Sequence, residues 1–150
     1  MGTKLTIQIE VIREGAQVPV YTSAGAAGCD LYACPEGCDE IAIEPHRTVM
    51  VGTGLKAAVP EGWFGGIFAR SGLAAKSGLR PANCVGVVDS DYRGEWMVAL
   101  HNDSEEPQVI RRGDRIAQLV LLPCMTAEFA VTDQLDETER GAGGFGHSGR

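Results

Sequence analysis

An all-β sandwich or barrel with one short helix is the fold this sequence predicts, and three observations predict it. Apolar and polar residues alternate with a period of two over about ten short runs. Gly, Pro, Asn or Asp punctuates nearly every gap between them, and only one segment breaks the pattern. At 150 residues the chain has the length of one domain, enough to bury roughly 70% of its unfolded surface.

Taken in order, Leu5 to Val11 has apolar odd positions and polar even ones, a strand with one face buried. Shorter strands are expected at Ile41–Ile43, Thr48–Val51 and Leu55–Val59, the last stopped by the turn Pro60-Glu61-Gly62. Trp63–Phe68 follows as another. Ser71 to Gly78 is the exception: its composition suits a turn or two of helix, with Ser71 expected as the cap and Gly78 as the stop. Strands resume at Val85–Val88 and Trp96–His101, which Asn102-Asp103-Ser104 ends. Three more are expected at Gln108–Ile110, Ile116–Leu122 and Ala127–Val131. From Asp133 to Arg150 the character changes: acidic residues give way to a stretch in which half of the last ten residues are Gly. Residues 1–132 are therefore expected to form the body, and 133–150 a mobile arm that orders on binding.

Composition excludes several functions. Acidic groups outnumber basic ones, 20 to 13, for a formal charge of −7, so a nucleic-acid-binding field is not expected. An anionic ligand would need a few placed Arg, backbone N–H groups or a metal ion. The longest apolar stretches, such as Leu119–Leu122, are far too short to span a bilayer, and no signal-peptide core opens the chain. Five Cys without regular spacing do not make a disulfide framework, and the expected location is the cytoplasm.

Some motifs fail on context. Gly141, Gly143 and Gly146 spell the dinucleotide-binding G-x-G-x-x-G, but no strand-and-helix unit surrounds them. Cys29, Cys34 and Cys38 are spaced too loosely for structural zinc, and His46, His101 and His147 are too scattered to pair with a nucleophile. Three constellations carry more. Arg70-Ser71-Gly72 places a guanidinium beside an expected helix start, a combination suited to phosphate, although a helix cap next to a surface Arg would read the same. Asp89-Ser90-Asp91-Tyr92-Arg93-Gly94 follows an apolar strand as a hairpin tip, and could be no more than a polar turn. Arg140 precedes a Gly-rich arm in which Phe145 has no core to join, which suits stacking on a ligand as well as an incidental aromatic.

Together these segments resemble the five ordered motifs of the trimeric dUTP pyrophosphatases (dUTPases). They are Ala27-Gly28-Cys29-Asp30-Leu31-Tyr32-Ala33, Arg70 to Lys76, Gly86 to Gly94, Gly113-Asp114-Arg115-Ile116-Ala117-Gln118-Leu119 and Arg140 to Gly149, in family order across essentially the whole chain. The resemblance implies a homotrimer of distorted jelly-roll (β-clip-type) subunits that hydrolyses dUTP to dUMP and pyrophosphate with Mg²⁺. Such an activity limits uracil incorporation into DNA and supplies dUMP for dTMP synthesis. Each active site would draw on three subunits, the arm of one closing over a pocket made by the other two. Asp89 would be the general base that deprotonates the water attacking the α-phosphorus, with Gln118 reaching the phosphates and helping to place that water. Arg70, Ser71 and Gly72 would hold phosphate oxygens, Arg140 the γ-phosphate, and Gly146, His147, Ser148 and Gly149 would add contacts from the arm. The metal would be held by the phosphates and water, with no direct protein ligand and Asp30 acting through water if at all.

Specificity is implied in the same way. The hairpin from Asn83 to Met97, including Val88, would read the uracil edge through backbone groups and the Asn83 amide, leaving cytosine with unpaired buried groups. Tyr92 would stand against the deoxyribose where a 2′-hydroxyl would clash, and Phe145 would stack over the base. Two other readings stay open. A dCTP deaminase-like relative shares the fold, but its glutamate has no counterpart, since no Glu occurs between Gly62 and Gly94. A non-catalytic nucleotide-binding trimer would need neither Asp89 nor the arm.

Overall fold

The computed structural model describes residues 4–145. Eleven strands and one helix follow in order: β1 Gln8–Val11, β2 Cys29–Tyr32, β3 Glu40–Ile43, β4 Thr48–Gly52, β5 Leu55–Ala58, β6 Trp63–Phe68, α1 Ser71–Ser77, β7 Leu79–Pro81, β8 Val85–Val88, β9 Met97–Asn102, β10 Gln108–Arg111 and β11 Arg115–Pro123. All pairings are antiparallel, and three of them are nested. β2 pairs with β11, β3 with β10 and β4 with β9, so the chain runs out and back as one long ribbon. The folded ribbon forms four small sheets, ordered β1-β5, β10-β3, β2-β11-β6-β8 and β4-β9-β7. This is the all-β, distorted jelly-roll class that the sequence implied.

Alternation places the core. Along β9 the inward residues Val98, Leu100 and Asn102 are fully buried while their neighbours are half-buried. Leu31, Ile43, Val51, Ile67 and Ile116 meet them from the other strands, and Trp96 from the loop residue before β9. Each such side chain contributes about 1.5–3 kcal/mol of burial. The two buried polar residues are satisfied. Thr53 donates from Oγ1 to the Trp96 carbonyl at 2.8 Å. Asn102 donates from Nδ2 to the carbonyls of Ile43 and Glu106 at 2.9 and 2.8 Å, and its Oδ1 accepts from the Ser104 N–H and hydroxyl.

Several local expectations are corrected. Ser71 is not the helix cap; Arg70 is, in extended geometry and without a side-chain capping bond, and Ser71 is the first helical residue. Gly78 ends the helix as expected, at φ 67°, with its N–H on the Ala74 carbonyl. Cys29–Tyr32 and Leu79–Pro81 are strands that their brief alternation did not reveal. The strand expected at 127–131 does not form. Its alternation is present, but no neighbouring strand within the chain accepts its hydrogen bonds, and Phe129 and Val131 are fully exposed. Among the described residues no helix is long and apolar enough to cross a membrane.

Candidate active site

Residues from three places on the ribbon converge at one end of the four-stranded sheet. Asp30 on β2 lies opposite Gln118 on β11, and Gln118 lies opposite Phe68 at the end of β6, so one row across the sheet ends two residues before Arg70. Arg70 donates from Nε to Asp30 Oδ1 at 2.8 Å and from Nη1 to the Arg115 carbonyl at 3.2 Å. Arg115 reaches Asp30 Oδ2 from Nη1 at 3.5 Å. Gln118 Nε2 donates to the Ala69 carbonyl at 2.8 Å, holding the junction between β6 and α1. Two guanidiniums around one carboxylate leave this corner positive on an acidic chain, which suits an anion with several oxygens. Ser71 and Gly72 are exposed in the first turn of α1 beside it. A Cβ on Gly72 would meet nothing within 4 Å, so packing within the chain does not require glycine there.

Asp89 is elsewhere. Val88 pairs with Gly65, three residues before Phe68 along β6, and Asp89 follows it into the turn of an open hairpin. The arms of that hairpin, β8 and β9, belong to different sheets and do not pair with each other, contrary to the sequence expectation. Five residues separate Gly65 from Arg70, on the order of 16 Å of extended chain. Asp89 is exposed beside a cleft of ≈ 990 Å³ that includes Pro60, Glu61, Trp63, Phe64 and Asp91. Its carbonyl accepts from the Tyr92 N–H at 3.2 Å, closing the turn, while its carboxylate takes no hydrogen bond from another described residue. The Tyr92 phenol donates to the Glu95 carbonyl at 2.9 Å.

Asn83 is exposed in the turn before β8, and the following Cys84 has φ 62°. A Cβ on Gly86 would come within 3.4 Å of the Asn83 amide nitrogen, so that side chain lies over the start of the strand. Val88 turns its side chain into the core at 6% exposure, so any ligand contact from it is through the main chain. Met97 opens β9 opposite Gly52. In the terminal segment Arg140 bonds only the nearby Gly143 carbonyl, and Phe145 is fully exposed. Gly146, His147, Ser148 and Gly149 lie outside the described residues.

One chain thus brings together Arg70, Ser71, Gly72, Gln118 and Asp30, groups Asp89, Tyr92, Asn83 and Met97 around a separate hairpin, and leaves Arg140 and Phe145 apart. Sequence reasoning missed two features. Arg115 was quoted in a motif without a role, and its share in holding Asp30 depends on the pairing of β2 with β11. The second is an ion pair at the foot of the hairpin: Arg13 holds both oxygens of Glu95, at 2.7 and 3.0 Å. That hydrogen bonding lowers the Glu95 carboxyl below its ordinary range and raises the Arg13 guanidinium. No local spacing signals this pair, because 82 residues separate its members.

Comparison with known proteins gives the setting. The dUTPase family model matches residues 14–149. The deoxyuridine 5'-triphosphate nucleotidohydrolase of Desulfitobacterium hafniense is 49% identical over 148 residues, covering 97% of each chain. A variant of the dUTPase of Staphylococcus bacteriophage 80alpha, solved with dUpNHpp, superposes with a TM-score of 0.89 at 25% identity, covering 98% of this chain and 100% of that one. A dUTPase variant from phage phi11 of S. aureus, solved with a structural Mg(II) ion, has a TM-score of 0.79 at 22% identity, over 89% of this chain and 100% of the other.

Proposed function

We propose, from the premise that this chain belongs to the dUTPase family, that it hydrolyses dUTP to dUMP and pyrophosphate. Its product would feed dTMP synthesis, and its action would keep uracil out of DNA. The observation that carries this reading is the corner where Asp30 fixes Arg70 beside Gln118 and the first turn of α1. With Nε on a carboxylate and Nη1 on the Arg115 carbonyl, this guanidinium is held in a set direction and keeps its Nη2 N–H groups for phosphate oxygens. Ser71 and Gly72 add exposed donors there, and Gln118 flanks the same place.

Asp89 accepts the proton of the attacking water in this reading, and its unencumbered carboxylate suits that role. Tyr92 stands against the sugar and excludes a 2′-hydroxyl. Asn83, the Val88 main chain and Met97 read the base. Arg140 meets the γ-phosphate and Phe145 covers the uracil, joined by Gly146, His147 and Ser148 when the arm closes.

Asp89 follows the partner of Gly65 whereas Arg70 lies beyond Phe68, and this separation along β6 supports a site shared between subunits of a homotrimer. Two further features support assembly. Met125, Phe129, Val131 and Leu135 are 79% exposed or more along a segment without a partner. An apolar groove of ≈ 840 Å³ opens between Ile7, Ile9, Val18, Tyr21, Trp63 and Leu121.

Among the described residues no three His, Cys, Asp or Glu form a metal cage, and arginines engage both Asp30 oxygens. In this reading Mg²⁺ would arrive held by the triphosphate and water, neutralising phosphate charge. All five cysteines are free thiols, which supports a reducing, cytoplasmic setting.

The test is Mg²⁺-dependent pyrophosphate release from dUTP, dTTP, dCTP and UTP by the wild type and by Asp89→Asn. Release from dUTP alone is expected, falling about 10²–10⁴-fold in the variant. Ammonia from dCTP, or tight dUTP binding without turnover, would replace this reading with a deaminase or a non-catalytic binder.

A further inference from the structure

The hairpin carrying Tyr92 is tied to the body by one mostly buried ion pair. Arg13 lies just beyond β1, and Glu95 stands at the returning foot of the hairpin. Their contact has two prongs, Nη1 to Oε1 at 2.7 Å and Nη2 to Oε2 at 3.0 Å, and the side chains are only 18% and 19% exposed. Glu95 Oε1 also accepts the Gly54 N–H at 2.8 Å, and Arg13 Nη1 also donates to the Cys34 carbonyl at 2.6 Å. The side chain of Glu95 is thus fixed directly to two parts of the fold, at Arg13 and Gly54, and through Arg13 to a third, at Cys34. Its main-chain oxygen is what the Tyr92 phenol holds, at 2.9 Å. Gly94 makes that reach possible, since a Cβ there would overlap the Tyr92 hydroxyl and lie 2.6 Å from Cζ.

We propose that the Arg13–Glu95 pair is a specificity-determining positioning element that holds the Tyr92 ring in place and so sets the preference for a deoxyribose over a ribose nucleotide. This rests on the dUTP reading and on Tyr92 as the wall beside the sugar. Neither Arg13 nor Glu95 touches the nucleotide. A wall that excludes one hydroxyl by steric contact works only while it cannot retreat, and a hydrogen-bonded guanidinium–carboxylate pair shielded from water is stiff and directional. Without it the residue that tethers Tyr92 is free to shift, and the ring shifts with it.

The experiment compares kcat/KM for dUTP and UTP in full-length wild type, Glu95→Gln, Arg13→Lys and Tyr92→Phe. Glu95→Gln keeps the shape and an acceptor for Gly54 while removing the charge. The dUTP-to-UTP ratio is expected to fall about tenfold in Glu95→Gln, mainly through gain of UTP turnover. Its kcat for dUTP should stay within about threefold of wild type. Arg13→Lys, which keeps the charge but loses one prong, should fall between. Tyr92→Phe lacks the tether, so adding Glu95→Gln to it should move the ratio no further. A lowered melting temperature with an unmoved ratio would make the pair merely structural and overturn the proposal. Should Glu95→Gln fail to fold, Arg13→Lys decides by the same ratio. A wild type inactive on both nucleotides would remove the dUTP reading and this inference together, whereas a dUTP-selective wild type with an unmoved variant ratio removes this inference alone.

Discussion

Glu95 and Arg13 shift each other's titration in the direction of their charged forms, and this gives the pair a signature in stability against pH. The folded Glu95 carboxyl sits below its ordinary value of 4.5 because Arg13 donates to it. Its contribution is therefore whole above about pH 4.5 and is lost as pH falls through the lower folded value. Calorimetric melting between about pH 7 and pH 3 should show the wild type losing its advantage over Glu95→Gln across the acid part of that range, the two curves converging at the bottom. Parallel curves would mean that the pair adds no pH-dependent stability. At this scale the sequence showed residue types well and relationships poorly. Arg70 and Asp89 stood out because their chemistry suits phosphate and water, and Gln118 through the family resemblance. The partners of Arg70 did not, because Asp30 and Arg115 meet it only through pairing of distant strands.

Helix α1 buries no side chain fully, Leu73 alone packing partly against the core, and its C-terminal end is held by one residue. Gly78 adopts φ 67°, and a Cβ there would stand 3.1 Å from the Ser104 nitrogen. Gly78→Ala should cost about 1–2 kcal/mol in urea denaturation, from the left-handed backbone and the crowding together. A loss below about 0.5 kcal/mol would show that the loop at Ser104 moves aside at little cost. Elements were legible where alternation ran for four or more residues against clear turn signals. β7, three residues ending in Pro81, offered too little pattern. The stretch at 127–131 offered pattern without a partner, because a strand is completed by its neighbour and not by its own sequence. The cap at Arg70 was missed for a related reason: the chain arrives there extended from β6, and the helix starts one residue sooner than the Ser signal suggests.

For the whole molecule, the distance between Arg70 and Asp89 predicts complementation. Asp89→Asn chains and Arg70→Ala chains are each expected to be inactive. Refolded together at equal amounts as random cyclic trimers, they should recover about a quarter of wild-type activity, because a site that takes Asp89 from one subunit and Arg70 from another is intact wherever the two kinds adjoin in the right order. No recovery, with mixed trimers confirmed by mass, would mean that both residues of each site come from one chain. The pairing of β6 produces this layout, because its Gly65 meets Val88, just before Asp89, while its last residue, Phe68, meets Gln118 and leads to Arg70. The all-β class was legible from alternation alone, but the nesting was not, since period-two patterning says which face a residue takes and not which strand lies beside it. A site completed only between subunits would leave a lone newly made chain catalytically silent, with turnover beginning on encounter with other copies. Output at low abundance would then rise more steeply than copy number, and dilution alone would switch the chemistry off without any inhibitor.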